Sequence, residues 1–117
     1  MKFYEHLYVS DSVKGREKEI RKKLENGTGM IGVYFIALPL YGSDPLEIYG
    51  AMELKQRWYR RSSLMIVGFA GSLHEAELMS ADILMEIHEK QGNYDSRSFF
   101  SGRQPEVTED KTEEEEG

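Results

Sequence analysis

The chain has 117 residues, 39% hydrophobic and 31% charged, with a formal net charge of -6 and no cysteine. That length suits one domain with a modest core and leaves no room for separate cofactor and substrate domains, and the composition lies within the globular range. Without thiols there are no disulfides or thiolate metal sites, and no apolar run approaches the length that spans a membrane, so a cytoplasmic protein with no membrane role is expected.

The opening KFYEHLYV alternates Phe3, Glu5, Leu7 and Val9 with Tyr4, His6 and Tyr8, which predicts a strand with one face in the core. Its internal Glu5 and His6 are foreign to a signal-peptide core. Ser10-Asp11-Ser12 offers helix caps, and Val13, Ile20 and Leu24 recur at helical spacing up to Asn26. Gly15 weakens the first turn of that helix, and Asn26-Gly27 ends it because glycine accepts the left-handed cap. MIGVYFIALPL is an almost uninterrupted apolar run, as a central strand covered on both faces requires, and Pro39 stops it.

LEIYGAMEL admits two readings. Alternating Leu46, Ile48, Gly50, Met52 and Leu54 fit a strand, whereas Asp44 with Pro45 fits a helix start. A short strand over 46–50 running into a short helix over about 51–59 reconciles them. LMIVGFAG is a second buried strand, and Ser72 with Glu75 makes the capping box of a last helix. Leu73, Ala76, Met79, Ile83 and Ile87 form its apolar stripe, widened by Leu84, and Gly92-Asn93 closes it. Tyr94, Phe99 and Phe100 are expected to fold the chain end back onto the domain. The order predicts an α/β two-layer sandwich: a mixed four-stranded sheet with two long helices on one face and a short extra helix. Strand-helix-strand units should be parallel and right-handed, and the strands between 30 and 50 an antiparallel hairpin.

Charge is distributed unevenly. Residues 101–117 carry seven acids and two bases, a net -5, which leaves residues 1–100 at -1. The expected organisation is therefore a single α/β domain over 1–100 and an acidic, disordered tail over 101–117, too poor in apolar residues to offset the entropy of ordering it.

Chemistry-bearing patterns are sparse. His6, His74 and His88 have no partners at ligand spacing, so neither a metal site nor a cofactor is expected. GFAGS, residues 68–72, resembles an anion-binding turn in outline but lacks the phosphate-loop pattern, and a tight turn with a helix cap accounts for it. Paired acids such as Glu75 and Asp82 lie on a helix surface with nothing in the sequence to place them in a cleft. No catalytic residue is assigned.

The exception is KQRWYRRSS, residues 55–63, with four cations and the only tryptophan. Arg57, Trp58, Tyr59, Arg60 and Arg61 combine cation–π, stacking and bidentate contacts with the residue types that dominate interface hot spots. The competing reading is a core tryptophan beside solvated arginines. Arg21 and Lys22 lie on the first helix, whose charges from Lys14 to Glu25 sum to +3, and could extend a positive surface. Glu113, Glu114, Glu115 and Glu116 are the matching anions, able to occupy a basic groove on a partner or to clasp this patch.

MKFYEHLYVSDSVK, LEIYGAMELKQRWYRR and IVGFAGSLHEAELM together resemble a group of small proteins encoded on mobile elements of Gram-positive bacteria, over about residues 1–90. That setting includes type II-A anti-CRISPR proteins, which bind Cas9 or limit its loading. The resemblance implies a non-catalytic inhibitor whose partner is a protein that handles nucleic acid, a Cas9-like nuclease or its guide complex. Two other readings stand beside it: direct nucleic-acid binding as an accessory of a conjugative element, and a homodimeric structural module.

Overall fold

The computed structural model describes residues 2–39, 44–56 and 64–101, with side chains throughout except at 54–56. In chain order these form β1 (Lys2–Val9), a 3-10 turn (Asp11–Val13), α1 (Glu17–Glu25), β2 (Tyr34–Leu38), β3 (Glu47–Gly50), α2 (Ala51–Gln56), β4 (Met65–Ala70), α3 (Leu73–Gln91) and α4 (Ser96–Ser101). The class is the expected one, an α/β fold on a mixed four-stranded sheet with two long helices and short ones beside them. As far as Gln56 the 46–59 segment divides as expected, into strand β3 and helix α2, and residues 57–59 lie outside the described residues.

The sheet order is β1-β4-β2-β3. β1 pairs parallel with β4, while β2 pairs antiparallel with both β4 and β3. The β2–β3 hairpin was legible, but the expectation that β1, α1 and β2 form a parallel unit is corrected: β2 runs against β1. β4 inserts between them, and the connection over 26–33 has Gly27 and Gly32 both at positive φ, 75° and 77°.

β2 and β4 are buried along nearly their whole length, so both faces of the sheet need cover. Alternation sends Phe35, Ile66 and Phe69 to one side, where they meet Ile20 and Leu24 of α1. Ile36, Val67 and Ala70 go to the other, where they meet Ala76, Ile83 and Ile87 of α3 and Phe99 and Phe100 of α4. The two long helices therefore lie against opposite faces, which corrects their expected placement on one. β1 likewise packs on both sides, with Phe3 and Val9 in the α1 cluster and Tyr4 in the α3 cluster, rather than on one face.

On the α1 side one aromatic lane crosses all four strands. Phe3 meets Phe69 edge-on at 6.2 Å, Phe69 is in register with Phe35, and Phe35 stacks on Tyr49 at 5.6 Å. On the other side Phe100 of α4 meets Tyr4 at 4.8 Å. α4 is further tied down by the Ser96 hydroxyl, which donates to the Pro45 carbonyl, and by Arg97, which donates to the Pro39 carbonyl.

α1 is shorter than its predicted span of Val13 to Asn26. Gly15 at φ 88° separates the 3-10 turn from the helix, and Arg16 at the N-cap makes no side-chain cap bond. Its far end behaves as read: the Gly27 amide donates to the Leu24 carbonyl and the Thr28 amide to the Lys23 carbonyl, the paired bonds of a Schellman cap.

Candidate functional site

The serines expected to cap α1 serve the start of α3 instead. Ser10 and Ser12 follow β1, whose parallel pairing with β4 brings them to the start of α3. The Ser72 hydroxyl accepts from the Glu75 amide at 3.1 Å, half of the expected capping box. Its other half is rerouted, because Glu75 Oε1 accepts from the Gly71 amide at 3.2 Å and from the Ser12 hydroxyl at 2.7 Å instead. The Gly71 amide also donates to Ser10 Oγ at 3.2 Å. The GFAGS turn is thus a helix cap whose Gly71 amide is met by the protein's own acceptors. The Ser10 and Ser12 hydroxyls and the Gly71 amide hold the Glu75 carboxyl below the usual glutamate range.

Beside this junction, between the end of β1 and α3, lies an open groove of about 520 Å³. Val9, Leu78, Met79 and Ile83 give it an apolar lining, and Asp11, Glu75, Asp82 and Glu86 supply its acids. Glu86 accepts from the Tyr8 hydroxyl at 2.8 Å and from Lys90 Nζ at 3.0 Å, and Asp11 pairs with Lys14 at 3.1 Å. Asp82 has no hydrogen-bond or ion-pair partner among the described residues. Leu78 is 55% exposed and Met85 61%; seven residues apart with Asp82 between them, they form a second apolar stripe that turns away from the core.

Glu75 and Asp82, which the sequence left on a featureless surface, therefore share one groove. Sequence reasoning missed this site because the core stripe of α3 absorbs most of its apolar residues. The available signal was the pair it leaves over, Leu78 and Met85.

The groove is suited to binding. A carboxyl held ionised by hydroxyl and amide donors is a poor proton carrier near neutral pH, where a general base needs a raised pKa. Among the described residues no group of three or more His, Asp or Glu side chains could hold a metal ion, and no helix is long and apolar enough to cross a membrane.

The basic face of α1 is less available than its charge suggests. Arg16 and Lys23 both engage Glu19, at 3.2 Å each, and Arg21 Nε lies 3.7 Å from Glu25. The Arg21 guanidinium also sits 4.5 Å over the Phe3 ring, an exposed cation–π contact of about 0.5–1 kcal/mol. Lys22 is exposed and, among the described residues, makes no ion pair. Arg57, Trp58, Tyr59, Arg60 and Arg61, and the tail acids Glu113, Glu114, Glu115 and Glu116, lie outside the described residues. No protein-family model, curated protein or solved structure matches the chain.

Proposed function

We propose that this chain is a non-catalytic, cytoplasmic binding protein whose partner is a protein that handles nucleic acid. The observation that carries this reading is that Asp11, Glu75, Asp82 and Glu86 line one groove together with apolar side chains that include the exposed Leu78. Carboxylates repel phosphate and attract lysine and arginine. Proteins that hold nucleic acid carry positive surfaces for that purpose, so they are complementary to this groove where nucleic acid is not. Apolar area beside the acids would supply affinity that charge alone rarely provides.

The specific candidate, from the resemblance of residues 1–90, is a Cas9-like nuclease or its guide complex. Capture from a Gram-positive lysate carrying a type II-A system, with and without nuclease treatment, tests the general reading: a partner retained after nuclease is expected. Recovery of nucleic acid alone would replace it with direct binding through Lys22 and Arg57 to Arg61, and recovery of the chain alone with the homodimer. The specific candidate predicts saturable inhibition of Cas9 cleavage, and full cleavage at large excess of this protein would remove it.

A further inference from the structure

We infer that the groove between β1 and α3 receives a cationic amphipathic helix of the partner, laid along α3; this rests on the protein-binding reading above. Three features of the groove select that occupant.

The first is length. Glu75 and Asp82 are two turns of α3 apart and Glu86 one turn further, and the eleven steps from 75 to 86 span about 16 Å at 1.5 Å per residue. A helix of about 11–14 residues matches that span. The second is the arrangement of charge and apolar surface. Leu78, Asp82 and Glu86 stand four residues apart along one row of α3, the row into which a second helix packs its own ridge. Lysines or arginines three and four residues apart on that helix would meet Asp82 and Glu86, and leucines between them would cover Leu78 and Met79. The third is that the acids differ in readiness. Glu75 is engaged by Ser12 and Gly71, Asp11 by Lys14, and Glu86 by Tyr8 and Lys90, whereas Asp82 has no partner among the described residues. Asp82 is the unspent charge at the middle of the row, and Lys90 is the internal cation that an incoming one would displace from Glu86.

The other wall of the groove is the end of the edge strand β1, which could pair with an extended segment, so the choice of a helix rests on the row of Leu78, Asp82 and Glu86 along α3.

The test is a titration of the 15N-labelled full chain with a synthetic peptide of about 14 residues, leucine and lysine in helical periodicity. Amide shifts centred on Leu78, Asp82 and Glu86 are expected. Asp82→Lys should weaken binding about tenfold, as reversal of a contacting charge does, and Lys90→Gln should tighten it by removing a cation that competes for Glu86. Unchanged affinity in Asp82→Lys, shifts centred on α1, equal binding of an all-lysine peptide, or equal binding of a proline-broken version would each overturn the inference. The two levels separate cleanly. A partner captured equally by the native chain and Asp82→Lys sinks the groove but leaves the binding-protein reading, whereas a chain that captures nothing sinks that reading whatever the peptide does.

Discussion

The Ser12 hydroxyl donates to the Glu75 carboxylate at 2.7 Å, joining residues 63 apart in sequence and fastening the turn after β1 to the first turn of α3. Together with the Ser10 hydroxyl and the Gly71 amide it keeps the Glu75 pKa below the ordinary value. A depressed folded-state pKa contributes stability that is present above the unfolded value and is lost as pH falls through the folded one. Melting temperature should therefore drop as pH falls below about 4.5, and Glu75→Gln should flatten that drop. Glu19, lowered chiefly by its bond to Arg16 and then by Lys23, keeps a residual slope in the variant. Circular-dichroism melts from pH 7 to pH 2 would decide it; identical profiles for the two proteins would show that the Glu75 bonds make no difference to folding.

Gly71 has its place because of the same junction. A Cβ there would lie 2.0 Å from Ser12 Oγ, so any side chain must push the serine away from Glu75. Gly71→Ala should cost about 0.5–1.5 kcal/mol in urea denaturation, the worth of the Ser12–Glu75 hydrogen bond it breaks, since the exposed serine can rotate aside. The double variant Gly71→Ala with Ser12→Ala should cost clearly less than the two single changes added together, since one change removes what the other collides with. Strict additivity would mean that the two residues do not meet in solution.

Phe100 is fully buried and meets Tyr4 and Phe99 edge-on at 4.8 and 5.1 Å. Truncation to alanine should cost about 3–5 kcal/mol, comparable with the loss of any large core aromatic. The denaturation midpoint is the measurement. A loss below about 1 kcal/mol would show that α4 is an ornament on the surface rather than part of the core.

Leu78 and Asp82 should behave in the opposite way. Leu78 is 55% exposed, and Asp82 has no partner among the described residues, so Leu78→Ser with Asp82→Asn should change stability by no more than about 0.5 kcal/mol. Capture of the partner should nonetheless fall sharply. A large loss of stability would make these residues structural and remove the case for an interface.

Much of the architecture was legible because it depends on local pattern. The unbroken apolar runs around Phe35 and Val67 identify the two central strands, Ser72 marks the start of α3, and Gly27 and Gly92, at φ 75° and 77°, mark the ends of α1 and α3. Each is a preference of a few neighbouring residues, written into side-chain period or backbone freedom.

What local pattern leaves open is which elements become neighbours. That β4 enters between β1 and β2 sets β2 antiparallel to β1 and divides the long helices between the two faces of the sheet. The same pairing carries Ser10 and Ser12 away from the helix they precede to the helix that begins sixty residues later. Composition and spacing alone determined an α/β domain with two buried strands and an acidic balance. Only the tertiary structure decided that Asp11, Glu75, Asp82 and Glu86 share one groove with Leu78, because strand order is set by long-range burial and hydrogen bonding that no single segment specifies.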